Sequence, residues 1–207
     1  MNRQKYISIL EHEAEAIRNI PITEEYDKAI NLIYSQIHKR GGTVITSGMG
    51  KAGHVAMNIA TTFSSTGTPA YFLHPSEAQH GDLGIIRKND MLLLVSNSGR
   101  TRELMELVQL ARGMIEEIKY IIITSNPDSQ LAKAADACLF TGSPTEVCPL
   151  GLTPTTSITT MTVIGDLLVS NLMQQIYFSC SDYAKRHHGG YLGSKSRKQS
   201  KEENKKQ

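Results

Sequence analysis

Six residues, Ser96-Asn97-Ser98-Gly99-Arg100-Thr101, follow directly on the apolar run Met91-Leu92-Leu93-Leu94-Val95. An apolar run of that length reads as a buried strand. Residues 103–115 then place Leu104, Leu107, Val108 and Ala111 at helical spacing. A loop of hydroxyls and a glycine therefore sits at a helix N-terminus, where unpaired N–H groups and the helix dipole favour an anion. Ser96, Ser98 and Thr101, with Asn97 among them, add donors that suit a phosphate group. Ser and Thr also cap helices for purely structural reasons, so the same residues fit a plain strand–helix turn.

Other reactive side chains gather in five further places. Ser47-Gly48-Met49-Gly50-Lys51 is a glycine-rich turn in which the backbone at Ser47 and Gly48 can approach a ligand and Lys51 sets a cation beside it. It has neither P-loop nor dinucleotide-fingerprint spacing. Residues 74–84 concentrate His74, Glu77, His80 and Asp82, of which the histidines can transfer protons near neutral pH or bind a metal. The two histidines are six apart, unlike a helical zinc pair. Glu103 falls in the first turn of the helix after the serine loop, where the dipole also favours a carboxylate. Glu146 lies among Pro144, Pro149 and Pro154, in an irregular segment that makes no structural demand for an acid, and Thr155-Thr156-Ser157 follows. Capping needs one such hydroxyl, not three, although hydroxyls within a helix also bond back to carbonyls. His187-His188 lies in a glycine-bearing stretch near the C-terminus.

The elements that must position these groups alternate regularly. Two helices are expected over 3–19 and 23–39, then strands over 43–46, 70–73, 91–95, 120–124 and 138–140. Helices over 52–64, 101–117 and 129–135 separate most of the strands. Near-continuous apolar strands alternating with helices predict a parallel sheet covered on both faces. Ligands in such folds bind beyond the carboxyl ends of the strands, the edge shared by the loops after Thr46 and Val95.

Composition narrows the classes. The 207 residues are 40% hydrophobic and 20% charged, with a formal net charge of +2. Residues 194–207 carry six Lys/Arg against two Glu, so this end is +4 and the remainder −2. The body is no basic surface for nucleic acid, and the charged end reads as a disordered tail beyond a domain spanning 1–193. Cys138, Cys148 and Cys180 form an odd set without C-x-x-C spacing, which fits reduced thiols in the cytoplasm. The N-terminus lacks the apolar stretch of a signal peptide. Residues 161–178 are apolar, but Asp166, Asn171, Gln174 and Gln175 mark them as a buried helix rather than a membrane span.

Together these segments resemble the sugar isomerase (SIS) domain, and more closely its arabinose-5-phosphate isomerase branch. The likeness runs over about 29–193. It is carried by Ser-Gly-Met-Gly-Lys-Ala-Gly-His at 47–54, His-Pro-Ser-Glu-Ala-Gln-His-Gly-Asp-Leu-Gly at 74–84 and Ser-Asn-Ser-Gly at 96–99. Glu-Val-Cys-Pro-Leu-Gly-Leu-Thr-Pro-Thr-Thr-Ser at 146–157 and Ala-Lys-Arg-His-His-Gly-Gly-Tyr-Leu-Gly at 184–193 complete it. The resemblance implies a three-layer αβα sandwich around a five-stranded parallel sheet. It places the catalytic positions on Lys51, Glu103, Glu146 and His187. Substrate contacts fall on Gly67, Thr68, His74 and His80, beside Ser47, Gly48, Ser96, Asn97, Ser98, Thr101, Thr155, Thr156 and Ser157. His74 is the position where zinc is expected if any binds, although no cofactor is required. Members commonly form tetramers with shared active sites, and many continue into a pair of CBS domains, whereas this chain ends soon after His187. His188 stands where the family often has proline.

The implied reaction interconverts D-arabinose 5-phosphate and D-ribulose 5-phosphate through an enediol and supplies synthesis of Kdo, a sugar of lipopolysaccharide. Glu146 would move the carbon proton, with Glu103 the competing candidate. His187 or His80 would shuttle oxygen protons, and Lys51 would stabilise the oxyanion. Two rivals stand beside it: another SIS phosphosugar isomerase, and a non-catalytic sugar-phosphate sensor.

Overall fold

Five strands dictate the architecture: β1 (Val44–Gly48), β2 (Ala70–Phe72), β3 (Met91–Val95), β4 (Lys119–Thr124) and β5 (Ala137–Phe140). They form one parallel sheet in the order β2-β1-β3-β4-β5, in a computed structural model that describes residues 3–203. Central β3 pairs in register with β1 (Leu93 opposite Thr46) and β4 (Leu93 opposite Ile121). All five of its residues are buried, because both faces of the sheet are covered.

Side chains alternate between those faces with the strand period of two. Val44, Met91, Leu93, Val95, Ile121 and Ile123 point to one core, met by α2 (Glu25–Ile33), α3 (Gly50–Ser65) and α7 (Thr156–Gln175). Ile45, Leu92, Leu94, Tyr120 and Ile122 point to the other, met by α4 (Pro75–Ala78), α5 (Arg102–Met114) and α6 (Gln130–Lys133). The expected three-layer αβα sandwich is what forms. The helix expected over 23–39 keeps its extent but widens to a π-helix at Tyr34–Lys39. There His38 Nε2 lies 3.1 Å from Thr68 Oγ1 and latches this helix to the turn before β2.

Three further helices flank the sandwich. Helix α1 (Arg3–Arg18) buries none of its residues fully and lies against α7 and the loop after β5. The charged segment from 194 is not a disordered tail: α8 (Cys180–Arg186) and α9 (Gly190–Glu203) form a helical hairpin. Small residues make this possible. A Cβ at Gly193 would stand 2.2 Å from the His187 carbonyl oxygen, and Ser196 is buried. Long basic side chains keep their heads in water while their stems cover the helix. The expected domain boundary at 193/194 therefore falls inside α9, and residues 204–207 lie outside the described residues.

Candidate active site

Parallel strands bring all their carboxyl ends to one edge, so β1, β3 and β4 deliver Ser47, Ser96 and the 125–129 loop side by side. Ser96 is buried and its amide extends the ladder to Ile123 O at 3.0 Å. Its hydroxyl accepts from Gly99 N at 3.1 Å and pairs with Thr101 Oγ1 at 2.8 Å. Gly99 has φ +61° and sits against Ser129, so both its backbone and its neighbour require glycine. From the next loop, Ser125 N donates to Asn97 O (3.0 Å) and Asn126 Nδ2 to Ser98 O (3.1 Å). These bonds hold the loop while leaving Ser98 exposed, its Oγ accepting from Arg100 N. Thr101 supplies no side-chain cap to α5. The first-turn amides of α5 thus remain an open anion cradle edged by Ser98.

The N-terminus of α7 is arranged in the opposite way. Glu146 lays its carboxylate across it, with Oε2 accepting from Thr155 N (2.7 Å), Thr155 Oγ1 (2.8 Å) and Ser157 N (3.3 Å). Oε1 accepts from Ser157 Oγ at 2.5 Å. Burial pushes the carboxyl pKa up, but the donors on Ser157 and Thr155 outweigh it and hold Glu146 below the usual carboxylate range. The third hydroxyl, Thr156 Oγ1, donates to Glu13 Oε1 of α1 at 2.9 Å. Thr155, Thr156 and Ser157, expected to hold phosphate, instead donate to the chain's own carboxylates. A glutamate tethered nine residues away reaches this positive helix end without the entropy cost of capturing a ligand. Cys148 completes the loop, its Sγ accepting from Leu152 N and Thr153 N at 3.2 and 3.1 Å.

Lys51, in the first turn of α3, lines a groove of about 430 Å³ with His54, Pro154 and Thr155. It makes no hydrogen bond or ion pair among the described residues, so its ammonium stands free beside the Glu146 clamp. At Gly48 an added Cβ would lie 2.9 Å from Ala52 O, which is why this turn is glycine. Ser47 is buried and donates to Leu73 O at 2.6 Å, joining β1 to β2 rather than presenting its hydroxyl outward. Glu103 is half-buried in the first turn of α5 and accepts no hydrogen bond among the described residues. Gln79 and Arg102 both bond Glu106, at 2.7 and 2.6 Å, and tie α4 to α5. His74 caps α4 with its Nδ1 buried and unpartnered among the described residues, and His80 is exposed. Among the described residues no group of three or more His, Cys, Asp or Glu side chains converges.

Three expected residues stand apart from this cluster within one chain. Gly67 and Thr68 precede β2 and therefore lie at the amino edge of the sheet. There Gly67 packs on Phe178, and Thr68 is buried against His38. His187 is the C-cap of α8, beyond the far end of the 20-residue α7, and none of its contacts is to the Glu146 clamp. Its ring stacks on Tyr183 at 3.7 Å and its Nδ1 meets Tyr183 O at 3.1 Å. A carbonyl can only accept, so Nδ1 is the donor in that bond. Two residues that the sequence did not mark, His12 and Glu13, reach the site from α1. His12 Nε2 lies 2.8 Å from Thr145 O. Both sit in an ordinary helical surface pattern, which gives no sequence signal for either.

A family profile described as SIS domain matches residues 36–171, about two thirds of the chain. The chain belongs to the SIS domain family. Among curated relatives, arabinose 5-phosphate isomerase KdsD of Yersinia pestis is 44% identical over 191 residues, covering 92% of this chain and 56% of the relative. The KpsF isomerase of Escherichia coli O6:H1 is 46% identical over 169 residues, 82% of this chain and 50% of the relative. The chain thus spans about half the length of the curated relatives it matches. Among solved structures, a candidate phosphosugar isomerase involved in capsule formation from Bacteroides fragilis is 60% identical with TM-score 0.90, covering 91% of this SIS chain and 98% of that one. An E. coli CFT073 protein solved in complex with arabinose 5-phosphate is 33% identical with TM-score 0.81, covering 90% and 100% respectively. No helix among the described residues is long and apolar enough to cross a membrane.

Proposed function

We propose that this SIS chain is an arabinose-5-phosphate isomerase, interconverting D-arabinose 5-phosphate and D-ribulose 5-phosphate. The observation that carries this reading is the contrast between two helix ends at one sheet edge: α5 is open to an anion, while α7 holds an oriented carboxylate. A substrate with a phosphate at one end and an acidic C–H toward the other fits that pair. The sugar-phosphate complex of the E. coli relative, and the names of the KdsD and KpsF relatives, support arabinose 5-phosphate as the sugar.

The open-chain aldose anchors its phosphate on Ser98 and the first-turn amides of α5. Remote binding energy then positions C1 and C2. Oε2 of Glu146 is saturated by three donors, whereas Oε1 accepts only one and keeps a lone pair. Oε1 removes the proton from C2, and the C–H electrons form the C1=C2 double bond as O1 takes a proton. Lys51 stabilises the charge developing on oxygen. O2 then loses its proton, the C2 carbonyl forms, and Glu146 returns the carbon proton to C1. Atoms and electrons balance without a redox partner, and no step passes through a metal.

His187 enters this scheme from a neighbouring subunit. Its absence from the residues lining the Lys51 groove, together with the placement of Gly67 and Thr68 at the opposite edge, supports a homotetramer with shared sites. Cys138, Cys148 and Cys180 form no disulfide among the described residues, which fits a cytoplasmic enzyme. Supply of Kdo for surface polysaccharide is the metabolic place this reading gives it, in keeping with the capsule role stated for the Bacteroides relative.

The test is conversion of arabinose 5-phosphate by the purified chain in deuterated water with EDTA, followed by NMR. Ribulose 5-phosphate bearing deuterium at C1 is the expected product. Binding without conversion would mark a sensor, and neither would point to a different phosphosugar.

A further inference from the structure

Glu146 lies in a segment with no regular structure between β5 and α7, so something other than a ladder must aim it. The hydroxyls at the start of α7 reach its carboxylate, while the backbone is held from α1 before it and from α7 after it. His12 Nε2 meets Thr145 O, the carbonyl before Glu146, at 2.8 Å. After Glu146, Val147 N donates to Thr155 Oγ1 and Thr156 Oγ1, both at 3.2 Å. A hydroxyl has one proton and two lone pairs. Thr156 gives its proton to Glu13 Oε1, which turns a lone pair toward the Val147 amide. Glu13 therefore sets the rotor on which the Glu146 backbone hangs, from 133 residues upstream and outside the 36–171 match.

The same carboxylate has an unusual feature. Its second oxygen, Oε2, is buried and has no hydrogen-bond partner among the described residues. An unsatisfied buried acceptor works against stability. A side chain held only to stabilise α1 would do better with its head in water, as neighbouring Glu15 has. We propose that Glu13 is a positioning residue for Glu146, acting through Thr156 and the Val147 amide. The inference rests on Glu146 being the carbon base of the isomerase.

Three variants of the full chain test it: Glu13→Ala, Glu13→Gln and Thr156→Val. Glu13→Ala is expected to lower kcat about 10- to 100-fold, the scale of a small displacement of a reacting group, with KM for arabinose 5-phosphate within about twofold because α5 is untouched. Glu13→Gln keeps an oxygen for the Thr156 proton and should recover most of kcat. Thr156→Val keeps the side-chain shape and should match Glu13→Ala. Adding Glu13→Gln to it should cost nothing more, since both act through one link. If Glu13→Ala fails to fold, Thr156→Val alone and in that double variant carries the same prediction. Wild-type kcat in Glu13→Ala or in Thr156→Val, or additive losses in the double variant, overturns the proposal.

A substrate-free readout separates this from failure of the isomerase reading. The Val147, Thr155 and Ser157 amide resonances should move in Glu13→Ala and return in Glu13→Gln. If the wild-type chain converts no arabinose 5-phosphate, the functional reading falls and these resonances decide whether Glu13 positions Glu146. Unmoved resonances overturn that positioning.

Discussion

Replacing Glu146 with glutamine removes one charge and leaves the geometry of the clamp nearly intact. The amide oxygen can take the three Oε2 donors, and the amide nitrogen can donate to Ser157 Oγ once that hydroxyl turns. The Ser157 hydroxyl proton alone must find a new acceptor. What is lost is charge assistance, about 1 kcal/mol per bond when bonds of about 1.5–3 kcal/mol fall to about 0.5–1.5. Four bonds give about 4 kcal/mol, and screening at this half-exposed loop reduces it to about 2 kcal/mol. For a chain of this length that is a fall in Tm of about 4–8 °C, measured at fixed protein concentration. The sign with pH follows from the lowered pKa of Glu146. Its contribution is fully present above the ordinary glutamate value of about 4.3 and is lost as pH falls through the lower folded value. Wild type and Glu146→Gln should therefore differ at pH 7 and converge in acid. Catalysis gives a second measurement on the same variant: kcat should fall about 10²- to 10⁴-fold, and solvent deuterium exchange at the reacting carbons should stop. Equal melting at pH 7, or a Tm difference that persists unchanged in acid, would refute the clamp energetics. Retained exchange in Glu146→Gln, with exchange lost in Glu103→Gln, would transfer the carbon base to Glu103.

Ser98→Ala should raise KM by about 10- to 100-fold with little change in Tm, since its outward proton is offered to the phosphate and worth about 1.5–3 kcal/mol; an unchanged KM would count against the α5 cradle. Gly99→Ala should destabilise by about 2–4 kcal/mol in thermal melts, combining left-handed backbone strain with a collision at Ser129. Lys51→Met should lower kcat about 10²- to 10³-fold and leave Tm within about 1 °C, because the ammonium has no partner among the described residues. His187→Ala should be similarly impaired alone. Unfolded together with Lys51→Met and refolded, it should recover about a quarter of wild-type activity, the fraction of sites that receive both intact residues by random pairing. No recovery would place His187 and Lys51 in the same subunit's site.

The sheet was legible because five apolar runs separated by glycine- and serine-bearing turns leave few other ways to bury themselves. The Ser96–Thr101 loop was legible for the same reason, since a strand and a helix on either side fix where it must lie. Thr155, Thr156 and Ser157 were legible as donors but not as to what they hold. Sequence displays hydroxyls, while the acceptor that occupies them is decided by how the 141–155 loop folds back. Glu13 was hidden because a carboxylate on an amphipathic helix has a solvated face as its ordinary explanation. The α9 helix was hidden because charge predicts solvation, whereas the contacts that order it come from Gly193 and Ser196, two small residues whose value lies in being close to α8. The π-helical widening at Tyr34–Lys39 leaves the apolar pattern intact and so gives no sign in it.

The two helix ends at the sheet edge also impose a polarity on whatever enters. One has no side-chain cap and leaves its first-turn amides available to an anion, while the other is already stoppered by Glu146. A sugar carrying phosphate at a single terminus can therefore be seated in one direction only. A sugar bisphosphate would drive its second phosphate against a fixed negative charge. On the proposed reading, such a molecule of the same length would be disfavoured by repulsion alone, a filter that requires no steric gate.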